Sequence, residues 1–339
     1  MGTPTLNIAD IECARGSPWR IESGGDLYRR YLFEALRKRF NVEPLGILLG
    51  RGNWLFQRTK LAWRLFRLKG VNDVWIRSFL STITLPVDRT AGKNILLIHH
   101  IDSRDTYEPV LSTLLLGKSY LLERFFYHNL YQVDAVVAVS KYWKEHFEAR
   151  GHPNVRVIYN PFEVASFTFT EQEIANFIQR HGLAGKPIVY IGNCQRGKGV
   201  VEAYEHLRGM GLNLVTSGDK KVNVPAMNLS LNYRDYQRLL KASSVVVTMS
   251  KLKEGWNRTA HEAMLCKTPV VGSGVCGMKE LLDGGQQIVC RSFSELRQCV
   301  EYALEHPELG EKGYDFAKNF TVERFESDWI ELIEEVARS

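Results

Sequence analysis

The sequence has no uninterrupted run of about 18 apolar residues, which removes a membrane-spanning helix from the readings it supports. It opens without a basic stretch followed by an apolar one, so no export signal is expected. Its cysteines, Cys13, Cys194, Cys266, Cys276, Cys290 and Cys299, form no Cys-x-x-Cys pair and no zinc-like spacing. Reduced thiols in a cytoplasmic protein are the simplest expectation. Asp-x-Asp does not occur, and the adjacent His99 and His100 lack the further ligands a zinc site needs, so no metal is expected. Nor is there a repeat of aromatic and basic residues to suggest nucleic-acid recognition.

What is present is enough chain for about two domains, since 339 residues at 45% hydrophobic content can fill two cores. A net charge of +6 favours anionic partners: nucleotides, anionic lipids or nucleic acid. Charge does not choose among them.

Short β-branched runs alternate with helical segments along most of the chain. Residues 5–11, 94–98, 134–140, 155–161, 187–192, 212–218, 245–249 and 269–271 read as strands. Segments 27–40, 141–150, 200–210, 233–241, 258–267 and 320–337 have helical spacing. Several of the junctions carry chemistry. Ser23-Gly24-Gly25-Asp26 is a turn opening a helix, where a ligand can come close to the backbone, although a plain turn and N-cap also explain it. The run Asn94 to Ile98 ends in His99 and His100, and ligands of open α/β sheets bind at strand carboxyl ends. Strand 187–192 leads into Asn193-Cys-Gln-Arg196-Gly-Lys198-Gly199, a glycine-rich basic loop suited to a diphosphate.

The densest stretch is Glu254-Gly255-Trp256-Asn257-Arg258, continuing to Glu262 and then to Thr268-Pro269-Val270-Val271. Asn257 is a suitable N-cap, so Glu254 falls on the loop after a strand and Glu262 in the first turns of the helix. Backbone N–H groups at a helix start attract phosphate, and nearby carboxylates accept from sugar hydroxyls. Gly255 lets a ligand approach the backbone. An ordinary helix with a solvated Glu262 fits the spacing equally well.

Glu-x7-Glu followed by Ala-Met and Thr-Pro-Val-Val resembles the signature of the retaining GT-B glycosyltransferases of glycosyltransferase family 4. The resemblance implies an α/β chain with two Rossmann-like domains, a cleft between them, and transfer of a sugar from a nucleotide-sugar donor without a metal. In this reading the donor is UDP- or GDP-linked, and no other cofactor is implied. By the same resemblance Glu254 lies by the donor sugar and Glu262 on the ribose hydroxyls. Gly255, Trp256 and Asn257 stand where the family has Gly-Phe-Gly, with Arg258 following. Lys198-Gly199 matches a Lys-Gly pair that meets the diphosphate, Asn193 stands where arginine is expected, and Arg196 is the candidate for the missing cation. Tyr233 lies where relatives place the nucleobase. Gly24 and Gly25 match a loop facing donor phosphates and acceptor. His99 matches a histidine near the reacting sugar, with His100 as competitor. His99, Glu254 and Lys198 are thus the expected catalytic group. The Gly272 to Gly277 loop and Glu280 also resemble family features.

The expected domains are 1–166 for the acceptor and 167–319 for the nucleotide sugar, with a helix over 320–339 crossing back to the first. Trp54 to Leu68 is amphipathic, with Trp54, Leu61, Leu65 and Leu68 on one face and Lys60, Arg64 and Arg67 on the other. It reads either as a core helix with a basic back or as a segment resting on an anionic membrane, which would bring a lipid-linked acceptor within reach. Rival readings are a non-catalytic nucleotide-binding subunit, a sugar-nucleotide 2-epimerase of related fold, and a basic peripheral membrane or nucleic-acid binding protein.

Overall fold

The computed structural model describes residues 5–12, 24–46, 63–101 and 123–339. The chain divides into two compact units, Met1–Pro161 with Val322–Ser339, and Phe162–Thr321.

In the first unit the strands are β1 (Asn7–Glu12), β2 (Asn41–Gly46), β3 (Lys69–Arg77), β4 (Arg89–Ile98), β5 (Ala135–Ala138) and β6 (Val155–Val157). They form one sheet in the order β2-β1-β3-β4-β5-β6, and every pairing is parallel. Strand β5 is buried along its whole length, as a continuous apolar run covered on both faces should be. Leu96, Ile98, Val136 and Ala138 pack against Phe126, Trp143 and Phe147, while Ala9, Ile11, Leu65 and Trp75 form a second group.

Helix Gly24–Leu36 buries Tyr28, Leu32, Ala35 and Leu36, one stripe at helical spacing. Within the same unit it meets the last helix, Val322–Arg338, whose buried stripe is Phe325, Trp329, Leu332, Ile333 and Val336. Tyr28 fastens the contact: its hydroxyl donates to Ile158 O at 3.0 Å and accepts from Trp329 Nε1 at 3.1 Å. Arg77 is wholly enclosed, with its guanidinium on Asp88, Thr90, Asn94 and the carbonyl of Ser81.

The second unit contains β7 (Ile188–Asn193), β8 (Asn213–Ser217), β9 (Met227–Leu229), β10 (Val245–Thr248), β11 (Val270–Gly272) and β12 (Ile288–Val289). Its sheet runs β12-β11-β10-β7-β8-β9, again all parallel. Numbered from β7 this is the 3-2-1-4-5-6 order of a doubly wound dinucleotide-type sheet, and the order reverses between β7 and β10.

The division at Pro161/Phe162 precedes the expected 166/167 junction, and the reason is local. Phe162 donates its amide to Phe320 O at 3.0 Å, bridges Thr321, and stacks its ring on His261 with centroids 3.9 Å apart. These contacts make residues 162–167 part of the second unit. The return to the first unit comes after Thr321, beyond the expected 319/320 junction.

Most of the amphipathic stretch from Trp54, including Lys60 and Leu61, lies outside the described residues. Of its described end, Leu65 is buried and Leu68 packs on the same group as Trp75, whereas Trp63 and Phe66 are 58% and 53% exposed. Among the described residues no helix is long and apolar enough to cross a membrane.

Candidate functional site

A doubly wound sheet leaves a crevice outside the carboxyl ends of the strands flanking its reversal. In the second unit those strands are β7 and β10, and the residues singled out from the sequence follow directly after them. Helix Arg258–Leu265 comes after β10 and is capped by Asn257, whose Oδ1 accepts from Ala260 N at 2.9 Å. That bond satisfies one amide and fixes the start of the helix.

Glu262 is almost fully buried, one turn into the helix. Its Oε1 accepts from Tyr233 OH at 3.0 Å and from the Arg258 guanidinium at 3.3 Å. Burial pushes the Glu262 carboxyl up, and Arg258, Tyr233 and Tyr236 act against that by favouring the anion. The tyrosines respond in kind, for burial and the Glu262 charge both raise Tyr233. Tyr233 is 49% exposed, with its hydroxyl held by the carboxylate and its ring stacked near that of Tyr236, centroids 6.3 Å apart.

The loop after β7 is shaped by its glycines. Gly199 has φ +72°, and a Cβ there would lie 2.3 Å from Met249 O, so no other residue fits without moving the backbone. The loop is joined to the one after β10 by Lys251 N donating to Gly197 O at 2.9 Å. Lys198 Nζ meets Glu254 Oε1 at 2.6 Å, and Ser250 Oγ donates to the same oxygen at 2.7 Å. An ammonium group has three donors and a carboxylate about four acceptor sites, so both retain capacity for a ligand. Asn193 Oδ1 accepts from Tyr190 OH at 2.9 Å and Ser217 Oγ at 3.0 Å.

The structure thus pairs Lys198 with Glu254 across the loops after β7 and β10, and joins Tyr233 and Arg258 to Glu262 on the helix after β10, while Asn193 ends β7. The side chains of the other expected donor residues point differently. Trp256 is turned inward, with Nε1 donating to His261 Nδ1 at 3.2 Å and its ring against Phe320, and the Asn257 side chain caps the helix. Gly255 is buried, and Arg196 is exposed on the 3-10 turn Arg196–Lys198. In the first unit Gly24 and Gly25 open their helix, and His99 follows β4 with its ring edge-on to Tyr28 at 4.8 Å. His100 is exposed. Sequence reasoning missed Tyr190, Ser217, Tyr236 and Ser250. Each lies in or beside a predicted strand or helix, where a hydroxyl within an apolar run is the available signal.

Residues 185–306 match the model of the family described as Glycosyl transferases group 1. Over 121 residues the chain is 30% identical to the trehalose synthase of Pyrococcus horikoshii, a segment covering 34% of this chain and 29% of that protein. The chain therefore spans less than a third of that curated relative. Among solved structures, sucrose-phosphate synthase from Thermosynechococcus elongatus is similar at TM-score 0.79 and 18% identity, covering 98% of this chain and 100% of that one. The Anabaena protein HepE, in complex with UDP-glucose, is similar at TM-score 0.72 and 15% identity, covering 97% and 100%. At such identities the likeness concerns the fold. The chain has the GT-B fold of two parallel-sheet α/β domains, and its 185–306 segment matches the group 1 glycosyl transferases.

Proposed function

We propose that the chain is a retaining, metal-independent glycosyltransferase of the hexosyltransferase type, moving a sugar from a UDP- or GDP-linked donor to an acceptor. The observation that carries the reading is that the Lys198–Glu254 pair joins the loops that follow β7 and β10, and that the helix after β10, Arg258–Leu265, bears the buried Glu262 in its first turns. The match of residues 185–306 and the likeness to a protein solved with UDP-glucose support it.

When the bond from the sugar to the diphosphate breaks, negative charge grows on the leaving phosphate. A preformed cation and oriented helix amides stabilise that charge more than they stabilise the ground state. Lys198 supplies the cation, and its contact with Glu254 keeps the ammonium in place. Glu262 accepts from the ribose hydroxyls, its carboxylate steadied by Arg258 and Tyr233. Tyr233 receives the base, and Glu254 accepts from the donor sugar. In the first unit Gly24 and His99, with His100 as competitor, serve the acceptor.

Thermal-shift measurement with UDP, GDP, ADP and their glucose or mannose conjugates tests the reading, because a ligand that binds only the folded chain raises its melting point. Stabilisation by one nucleotide, lost in Glu262→Ala, is expected. Absence of any shift would overturn it, and release of free sugar without an acceptor would point to the epimerase chemistry instead.

We also propose a lipid-linked acceptor, met at an anionic membrane surface. The support is local: Trp63 and Phe66 stand exposed beside Arg64 and Arg67. Aromatic rings and basic heads together suit a lipid interface.

A further inference from the structure

A strand fixes where a side chain begins but not how its ring is turned. Strand β4 pairs with β5 as far as Ile98 opposite Ala138, which sets the Cα position of His99 just beyond. The last torsion of a histidine side chain is soft and roughly two-fold, so packing has to choose the plane of the imidazole. In the first unit His99 meets Tyr28 edge-on, with ring centroids 4.8 Å apart and planes at 83°. His99 is half-buried there, whereas the next residue, His100, is exposed.

Tyr28 is itself held still. It is wholly buried in the first turns of the helix that Gly24 and Gly25 open. Its hydroxyl donates to Ile158 O at 3.0 Å and accepts from Trp329 Nε1 at 3.1 Å. Both anchors are firm: the Ile158 amide donates to Ala138 O at 3.0 Å, and Trp329 lies in the buried stripe of the last helix. Phe325 of that helix meets the Tyr28 ring edge-on as well, at 4.9 Å. Burial pushes the Tyr28 pKa up, so the phenol stays neutral beside the imidazole. An edge-to-face pair with such a fixed ring favours one plane of its neighbour by a factor of about two to ten.

We infer that Tyr28 is a positioning residue for His99: pinned between the sheet and the last helix, it holds the imidazole in the plane from which it meets the acceptor, and so selects His99 over His100. The inference rests on the transferase reading with a histidine on the acceptor side. It gives the last helix a part in the reaction, because Trp329 holds the hydroxyl that keeps Tyr28 in place. Lys198, Glu254 and Glu262 belong to the second unit, so the effect falls on the acceptor and spares the nucleotide.

The test uses the full chain, with UDP-glucose and GDP-mannose as donors and octyl glucoside and octyl mannoside as soluble acceptors. Beside the kinetics it follows the Cε1 NMR signal of His99, identified by its loss in His99→Gln. Tyr28→Leu should lower kcat/KM for the acceptor about tenfold, with UDP and GDP affinity within about twofold. It should add nothing in a His99→Gln background. In the same variant the His99 signal should move toward the position of an exposed histidine while the other histidine signals stay. Trp329→Phe removes only the indole donor and should lower kcat/KM about threefold, with a smaller move of the same signal. Where Tyr28→Leu does not fold, Trp329→Phe carries the test. An unmoved His99 signal in a folded variant overturns the inference and leaves the transferase reading intact. So does a full additional loss from Tyr28→Leu in the His99→Gln chain, or a larger loss from His100→Gln than from His99→Gln. If the unmodified chain transfers from neither donor to either acceptor, the transferase reading falls and takes this inference with it.

Discussion

Two ion pairs stand near strand ends in the two units, Arg77 with Asp88 in the first and Lys198 with Glu254 in the second, and they are built in opposite ways. The Arg77 side chain is 0% exposed and donates to Asn94, Ser81 O, Thr90 and both Asp88 oxygens. Burial lowers its pKa and Asp88 raises it in return. The Lys198 side chain is 30% exposed, and its hydrogen bond to Glu254 leaves two of three donors over. A saturated buried charge organises its own unit and has nothing left to offer a ligand. An unsaturated one on a loop does. The number of unused donors, more than the presence of charge, separates scaffold from site here.

The comparison breaks first, and by the largest margin, at Arg77. Arg77→Ala leaves Asp88 charged and enclosed, and should cost about 3–5 kcal/mol of stability. Arg77→Met combined with Asp88→Leu should recover most of it. Urea unfolding followed by tryptophan emission reads both, since Trp75 lies 5.9 Å from the guanidinium. A loss below about 1 kcal/mol in Arg77→Ala would remove the scaffold role. Lys198→Ala should behave in the reverse manner, with little change in stability and turnover down about 10²- to 10³-fold. Its nucleotide affinity should stay within a few-fold, because the interaction strengthens as charge develops. Steady-state kinetics with calorimetry checks the split. Equal loss in both would mean that Lys198 holds the ground state only.

The second unit was the more legible in sequence, for physical reasons. Strands β7, β8 and β10 are short buried β-branched runs, and Asn257 begins its helix as an N-cap should. The strand β3 was not read from the sequence because its amino half, Lys69 to Asp73, is polar and alternates between exposed and partly buried; only Val74 to Arg77 is fully buried. Strands β2, β9 and β12 are short or carry proline or asparagine, and their existence depends on neighbours supplying the ladder. The Glu254 and Glu262 pattern was visible, but the hydroxyls behind Asn193 were not, since Tyr190 and Ser217 meet only across two strands. Trp256 likewise read as a ligand contact from its position, while packing directs its ring onto His261.

Within the site helix two buried titratable neighbours should respond to pH with opposite signs, a finer form of the same contrast. The Trp256 indole can only donate, so His261 Nδ1 is the acceptor and Nε2 carries the proton toward Ala317 O, 3.1 Å away. Burial first, and then the Arg258 charge, push the His261 pKa down to about 3. Its stabilisation is therefore present above pH 6.5 and lost as pH falls toward 3, at about 1.4 kcal/mol per unit, or about 2 kcal/mol by pH 5. His261→Phe should flatten that slope in urea midpoints measured at pH 7 and pH 5; a parallel slope in the variant would contradict the neutral tautomer. Glu262 is raised instead, so its contribution is present below the unfolded value and lost as pH rises through the folded one. Glu262→Gln should abolish that loss and weaken nucleotide binding about tenfold. Unaltered affinity in a folded variant would move the ribose contact elsewhere.

The smallest effect is expected at the amino end of the first sheet, where the question is whether exposed cations face solvent or lipid. Leu65 is taken up by the core, which accounts for one face of the segment. The other face leaves Trp63 and Phe66 exposed, with the Arg67 guanidinium 4.6 Å above the Trp63 ring. Lys69 and Arg89, register partners at the starts of β3 and β4, extend the basic surface beside them. Each basic residue near an anionic surface contributes about 1 kcal/mol, so Arg64→Glu with Arg67→Glu should weaken vesicle binding measurably without touching the fold. Added salt should weaken the unmodified chain's binding in the same direction. Trp63→Ala, by contrast, should reduce binding to anionic and neutral vesicles alike, since an interfacial ring senses no charge. Co-sedimentation with anionic vesicles reads all three, alongside transfer to a soluble acceptor, which the charge reversals should leave unchanged. If the unmodified chain does not sediment with such vesicles even at low salt, Trp63 and Phe66 have no lipid to meet, and Arg64 and Arg67 are solvated cations like any others.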